Sequence, residues 1–225
     1  MTRHQWSQLG LGAVCLIPLA ALTWAFATQQ LGSDPVETLT HETGEWALRL
    51  LILTLCVTPL RQFFGWHQLA PCRRTLGLMC FLYASLHFAT YLTFDLGWNF
   101  SDLAEEIKER PYVTLGFAAF VILVPLALTS TRRSIKRLGR NWRKLHRWVY
   151  LALVLAVLHF IWLVKADLRE PLVYAGIAAL VLAWRIPSWL GRRPLTYATL
   201  RRSRKNAPMP PRSSPPPKDR DQQRE

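Results

Sequence analysis

The sequence lacks the motifs of most soluble enzyme classes and contains few cysteines. No Gly-x-Gly-x-x-Gly, Walker loop, His-Glu-x-x-His or Gly-x-Ser-x-Gly motif occurs in its 225 residues, so nothing indicates a nucleotide domain or a hydrolase. Its four cysteines form no Cys-x-x-Cys pair and no Cys-x-x-Cys-His, which excludes the usual covalent attachment of a c-type haem. We therefore predict no disulfide.

What the sequence has instead is long apolar runs with little charge inside them. About half of the chain is hydrophobic, 51%, although its formal net charge is +14. A membrane-spanning helix needs about 20 apolar residues, and six runs approach or meet that length: 9–28, 46–60, 76–94, 112–128, 149–164 and 172–189. The first run is longer than a signal-peptide core and lacks a clear cleavage site, so we interpret it as a helix. We predict an all-α polytopic membrane protein, a six-transmembrane-helix bundle over 9–190.

The charged residues are separated by side rather than interleaved, which argues against a nucleic-acid module. If the spans alternate, one side carries 23 of the 28 basic residues, including the short segment 1–8. The other side carries 11 of the 14 acidic residues. The positive-inside rule makes the basic side cytoplasmic. Both termini are therefore predicted to face the cytoplasm.

Two basic segments lie on that side. The stretch 132–147 has eight basic residues and no acid. It is either a topogenic loop that binds lipid headgroups or an entry surface for an anionic cofactor or electron donor. The segment 191–225 is basic and proline-rich, with too little apolar surface to fold alone, and we predict a disordered cytoplasmic tail.

Two of the six histidines stand inside apolar runs at matched depth. His87 lies eight residues before Asp95, and His159 lies eight residues before Asp167. At 1.5 Å per residue, both imidazoles would lie about 12 Å below the outer boundary on parallel helices. Such a pair could supply the axial ligands of a b-type haem. The alternative is that they only form hydrogen bonds between helices.

Two further residues are candidates for binding a cofactor. His146 lies 13 residues before His159, about 20 Å nearer the cytoplasm, and could serve a second redox group there. At 100° per residue, the side chains of His146 and His159 would point about 140° apart on an ideal helix. The sequence therefore does not decide whether a second haem is bound. Arg49 either reaches to the interface or pairs with a haem propionate. We expect the remaining histidines to be surface residues: His4, His41 and His67.

Several short motifs resemble the ferric-reductase-type transmembrane domain. They are Thr129-Ser130, Leu138-Gly139, Trp142, Leu145-His146, Tyr150 and Leu158-His159. Other pieces are similar to the bacterial MsrQ family, also called YedZ, and the likeness covers about 9–190. These pieces are Asp34-Pro35, His41, Thr43-Gly44, Ala47-Leu48, Thr58-Pro59-Leu60, Arg73-Arg74, Leu76-Gly77, Arg110-Pro111-Tyr112 and Gly116.

The resemblance implies a multi-pass cytochrome b of the bacterial inner membrane that also binds FMN. Such a subunit would pass electrons from membrane quinol or a cytoplasmic flavin reductase to MsrP, a periplasmic molybdopterin enzyme that repairs oxidised methionine in proteins. It would be an electron-transfer subunit rather than a self-contained enzyme. The family's haem ligands carry over onto His87, His146 and His159, whereas no FMN contact carries over to a particular residue.

Two other functions would account for some of these sequence features. A small transporter or scaffold without a redox group would use its histidines for proton relay or packing, and the sequence shows neither an intramembrane acid nor a visible repeat in its favour. A self-contained ferric reductase would need fused flavin and nicotinamide domains. The carboxyl-terminal tail is too short and too polar to be one.

Overall fold

The computed structural model describes residues 3–164 and 167–185, and every regular element in those ranges is a helix. The predicted tail and the end of the sixth predicted span lie outside the described residues. The α-helices, in chain order, are α1 Arg3–Ala27, α2 Pro35–Phe64, α3 Cys72–Thr90, α4 Phe100–Glu109, α5 Pro111–Leu128, α6 Arg132–Leu138, α7 Arg140–Leu145, α8 Val149–Leu163 and α9 Arg169–Ala183. A π-helical turn, Tyr91–Asp95, continues α3, and 3-10 turns cover His67–Leu69 and His146–Trp148.

Five of the described helical stretches are long and apolar enough to cross a bilayer. They are Trp6–Ala27, Pro35–Phe64, Cys72–Asp95, Pro111–Leu128 and Arg140–Leu163. The sixth predicted span coincides with α9, which has 15 residues in the described range and is shorter than a full crossing requires. The all-helical membrane architecture is thus confirmed with five candidate spans, and the sixth span stays a prediction.

Helix α2 begins well before the apolar run from which it was predicted. The Asp34 side chain accepts a hydrogen bond from the Glu37 backbone N–H at 2.9 Å, and Pro35 occupies the first helical turn. Both are strong helix-starting features. The helix ends where Gly65 adopts the left-handed conformation, with φ of 72°. Because the cap lies 12 residues before Trp46, the polar residues 35–45 belong to the same helix as the apolar run.

The core lies between two closely packed helix pairs, α2 with α3 and α5 with α8. Leu55 and Leu153 are fully buried in it. The hydroxyl of Tyr83, also fully buried, donates to the Cys15 carbonyl at 2.8 Å and attaches α1 to α3. Large apolar side chains on the outer helices are exposed, Trp24 on α1 and Leu180 on α9 among them. In a bilayer such faces contact lipid.

Three short helices lie between the long helices of these pairs. Helix α4, on the predicted outer side, buries Leu103 and is capped by Asn99, whose side chain accepts from the Ser101 backbone N–H at 3.0 Å. Helices α6 and α7 join α5 to α8 and carry the basic stretch predicted to face the cytoplasm. Neither α6 nor α7 contains a buried residue, which is consistent with a position at the surface of the bundle.

Candidate functional site

The side chains of His87 and His159 face each other across the bundle. His87 lies in the last turn of α3, and His159 lies near the end of α8. Their ring centroids are 6.2 Å apart, and the ring planes are inclined by 75°. The two residues that sequence counting placed at one depth are therefore brought together.

Each imidazole is held by a backbone carbonyl of a neighbouring helix. Nδ1 of His87 lies 2.8 Å from the Thr40 carbonyl oxygen on α2. Nδ1 of His159 lies 2.7 Å from the Tyr112 carbonyl oxygen on α5. A carbonyl only accepts, so Nδ1 carries the proton in both rings. The Nε2 lone pair of each ring is left to bind a metal, as in other metal sites where a second hydrogen bond fixes the tautomer.

The geometry fits a metal bound between the two rings. A metal–imidazole nitrogen bond of about 2 Å would place two rings on opposite sides of one metal with centres roughly 6 Å apart. The observed 6.2 Å agrees with that spacing. Within the described residues, no group of three or more His, Cys, Asp or Glu side chains could hold a bare ion. Two imidazoles therefore suit a metal whose other ligands come from a macrocycle, as in haem.

His146 lies apart from this pair, in the 3-10 turn that precedes α8. Its Nδ1 is 3.1 Å from the Trp142 carbonyl oxygen, and the Trp142 ring stacks on it with centroids 3.9 Å apart. Its Nε2 is buried and has no hydrogen-bond partner among the described residues. A buried polar nitrogen without a partner is costly, which favours a ligand there. The side chains of His4 and His67 lie outside the described part of the chain.

Arg49 makes contacts within the protein rather than standing free for a propionate. It forms an ion pair with Glu45 one turn earlier on α2. Its Nε donates to the Tyr174 hydroxyl on α9 at 2.7 Å, and its guanidinium lies 5.0 Å from the centroid of the Trp46 ring. These contacts join α2 to α9. Binding of a propionate by Arg49 stays a prediction.

Glu45, which lies within the candidate span Pro35–Phe64, is not among the residues predicted from the sequence to belong to the site. The side chain is only 7% exposed, and its other carboxylate oxygen is 3.3 Å from Nδ1 of His41. It also follows Gly44, which packs against the His87 ring, so it lies at the level of the histidine pair. The sequence predicted no acid within a span, whereas Glu45 lies in the same helix as the predicted span and is buried beside the histidine pair. The sequence does carry a signal for this cluster of charged residues: His41, Glu45 and Arg49 are spaced four residues apart. Residues with that spacing lie on the same face of a helix.

The fold and the paired histidines agree with one class of membrane protein. The family model described as "Ferric reductase like transmembrane component" matches residues 43–157, which extend from the third turn of α2 into α8. The chain is therefore a multi-pass membrane protein of the ferric-reductase-like class. No solved structure matches the chain.

Curated relatives narrow this class to one family. A protein of Xanthomonas axonopodis pv. citri is 48% identical over 204 residues, which cover 88% of this chain and 91% of the relative. One from Xanthomonas campestris pv. campestris is 49% identical over the same shares. One from Azospira oryzae is 42% identical, covering 96% of this chain and 88% of the relative. All three are named "Protein-methionine-sulfoxide reductase heme-binding subunit MsrQ", and this chain belongs to the MsrQ family.

Proposed function

We propose that this chain is the haem-binding membrane subunit of a protein-methionine-sulfoxide reductase system and carries electrons across the membrane. The observation that supports this most strongly is the pair of imidazoles, 6.2 Å apart, with both Nδ1 atoms held by carbonyls. Relatives that are up to 49% identical are named as the haem-binding subunit of a protein-methionine-sulfoxide reductase, which supports both the cofactor and the reductase system proposed here. Oxidised methionine is a reversible lesion, so a repair system has a chemical purpose.

His87 and His159 would hold a b-type haem, which supplies one-electron transfer at its iron when bound. The Thr40 and Tyr112 carbonyls keep each ring in one tautomer, with Nε2 directed away from the hydrogen bond. The surrounding apolar helices exclude water, and low solvent exposure is one of the factors that set a haem potential.

A second electron-carrying group is proposed near His146, toward the predicted cytoplasmic side. A haem between His87 and His159 would lie about 12 Å from the predicted outer boundary of the membrane. Electrons would still have to cross most of a ~30 Å apolar core to reach it from the cytoplasm. His146 lies in the 3-10 turn directly before α8, the helix that carries His159, and its buried Nε2 lacks a hydrogen-bond partner in the described chain. A second haem bound through His146, or FMN nearby, would fill that gap.

The proposed direction of transfer follows the charges. The basic helices α6 and α7 would attract the phosphate of FMN or an acidic surface of a flavin reductase, while membrane quinol is the other candidate donor. The opposite side carries exposed acids that include Asp34, Glu37, Asp102 and Glu105. The periplasmic partner MsrP would accept electrons there. In this proposal the chain lies in a bacterial inner membrane, with six spans and both termini in the cytoplasm.

One observation favours the alternative of a transporter without a redox group. Glu45 is a buried carboxylate inside a candidate span, next to His41 and Arg49. Intramembrane acids commonly mark ion or proton pathways. The redox proposal is preferred because the two imidazoles are presented to each other at metal-binding distance, which proton relay does not require.

The proposal predicts a visible haem spectrum in the purified protein. Wild-type protein in mild detergent should show a six-coordinate b-type spectrum that sharpens on reduction with dithionite. His87→Ala and His159→Ala should each lose the part of the six-coordinate spectrum that comes from the haem between these two residues, here called the outer site. One imidazole alone cannot supply both axial ligands. His4→Ala serves as the control and should match wild type. A colourless, fully folded wild-type preparation would contradict the proposal and support the transporter.

A further inference from the structure

The two histidine rings are held in the same manner by two different helix hairpins. In each hairpin, Nδ1 donates to a carbonyl that lies 47 residues earlier in the chain. In each, a glycine follows that carbonyl by one helical turn, Gly44 after Thr40 and Gly116 after Tyr112. The sequence shows no visible repeat, yet α2–α3 and α5–α8 present one arrangement twice.

Both glycines lie directly against the imidazole of their own hairpin. A Cβ atom added to Gly44 would lie 2.9 Å from Nδ1 and 3.0 Å from Cε1 of His87. A Cβ atom added to Gly116 would lie 2.9 Å from both Nδ1 and Cε1 of His159. Contacts this short are not tolerated, so the ring would have to move. An imidazole is rigid, and both rings are already fixed by a hydrogen bond.

Other helical glycines in the described chain do not meet this obstacle. A Cβ atom on Gly77 would lie 3.7 Å from the nearest atom, a methyl carbon of Thr54, which is ordinary van der Waals contact. A Cβ atom on Gly176 would meet nothing within 4 Å. Close approach is therefore a property of positions 44 and 116 and not of membrane-helix glycines in general. Alanine is the better helix former, so helix propensity does not explain glycine at these two positions.

We infer that Gly44 and Gly116 are positioning residues for the paired imidazoles. Without a side chain, the backbones of α2 and α5 approach the rings closely enough for the carbonyls one turn earlier to bind Nδ1. That bond sets the direction of Nε2 and therefore the geometry offered to the iron. The inference rests on the proposed function, because it assumes that the imidazoles bind a haem.

The test compares four alanine variants of the full-length, haem-loaded protein. Gly44→Ala and Gly116→Ala introduce the methyl group beside a ring, whereas Gly77→Ala and Gly176→Ala are matched controls in other membrane helices. Haem retention is measured by transfer to excess apomyoglobin, and ligation is measured by the low-spin electron paramagnetic resonance signal of the oxidised protein. Loss of an outer-shell contact to a metal ligand typically weakens binding by 10-fold to 100-fold.

We expect Gly44→Ala and Gly116→Ala to lose haem from the outer site about 10-fold or more faster than wild type, with an altered low-spin signal. The two control variants should match wild type. Unchanged retention and an unchanged signal in Gly44→Ala and Gly116→Ala would overturn the inference while leaving the proposed function intact. A wild-type protein without haem would overturn the proposed function itself, and the inference with it.

Poor accumulation of a glycine variant is also informative. Combining Gly44→Ala with His87→Ala removes the ring that the new methyl group would strike. If the double variant accumulates as well as His87→Ala alone, the clash with the imidazole is the cause and the inference holds. If the double variant accumulates as poorly as Gly44→Ala, the glycine is needed for another reason and the inference fails. The same pairing applies to Gly116→Ala with His159→Ala.

Discussion

At the scale of single residues, Glu45 is a carboxylate that is almost fully removed from solvent. It is nearly buried in α2, and Arg49 and His41 approach it from one turn on either side. Arg49 continues the network to the Tyr174 hydroxyl on α9. A carboxylate removed from water in this way is stable only while its charge is compensated.

Removing Arg49 should therefore cost more than removing the whole pair. Arg49→Ala leaves Glu45 buried without its main counter-charge, and we expect a loss of about 3 kcal/mol in stability. The double variant Glu45→Gln with Arg49→Gln removes both charges and should be less destabilised. Thermal unfolding in detergent, followed by the loss of monodisperse protein, measures both.

A second ion pair of the same spacing provides the control. Arg110 and Glu106 also lie four residues apart, with 3.1 Å between Nε and the carboxylate, but Arg110 is 53% exposed. Arg110→Ala should lower the thermal stability much less than Arg49→Ala does, since exposed ion pairs contribute little. The interpretation of Glu45 fails if Arg49→Ala is as stable as Arg110→Ala, or as stable as the double variant.

Residue-level reasoning from the sequence identified the histidine pair but not Glu45. His87 and His159 were predicted because each lies in an apolar run, eight residues before an aspartate. Both features can be read from the order of residues along the chain. Glu45 stands one residue before the apolar run that begins at Trp46, so hydropathy placed it outside the membrane helix. Glu45 is buried because α8 and α9 pack against α2. Such contacts between distant parts of the chain cannot be predicted from the residues next to Glu45.

At the scale of helices, the apolar runs predicted the positions of the long helices, but the predicted ends were accurate for some helices and not for others. Helix α5 was predicted over 112–128 and extends over Pro111–Leu128, because Pro111 starts it and the run behind it is uninterrupted. Helix α2 was predicted to start 11 residues too late, at 46 instead of Pro35, because its cap at Asp34 precedes a polar first third. The amphipathic helix α4 was not predicted at all, since it has too few apolar residues to form a run.

Helix α9 is the element on which the topology depends. It is described over Arg169–Ala183, and the apolar run from which a sixth span was predicted continues to residue 189. If α9 crosses the membrane, a reporter fused after residue 195 lies in the cytoplasm. Green fluorescent protein there should fluoresce, and alkaline phosphatase there should be inactive.

Two internal fusions calibrate that experiment. Alkaline phosphatase fused after residue 99, beside α4, should be active because that loop is predicted to be periplasmic. The same enzyme fused after residue 131, before α6, should be inactive. Active phosphatase after residue 195, together with these two control results, would show five spans and would reverse the predicted position of the carboxyl terminus.

At the scale of the whole molecule, the matched depth of the two histidines was predictable from residue counts, whereas the repeated arrangement of the two helix pairs was not. The distribution of charge over the two sides of the membrane stays a prediction. The resemblance of α2–α3 to α5–α8 is carried by two carbonyls and two glycines, which leave almost no trace in composition. Only the folded bundle shows that Thr40 and Tyr112 have equivalent roles.

The account as a whole depends on one iron being bound by the imidazoles of His87 and His159. The most direct measurement is rescue by free imidazole in the His146→Ala background, where a second site through His146 cannot contribute. His87→Gly and His159→Gly should each lose the low-spin six-coordinate signal of the oxidised haem, and millimolar imidazole should restore it in both. Retention of the unaltered signal by either variant without added imidazole would contradict the account.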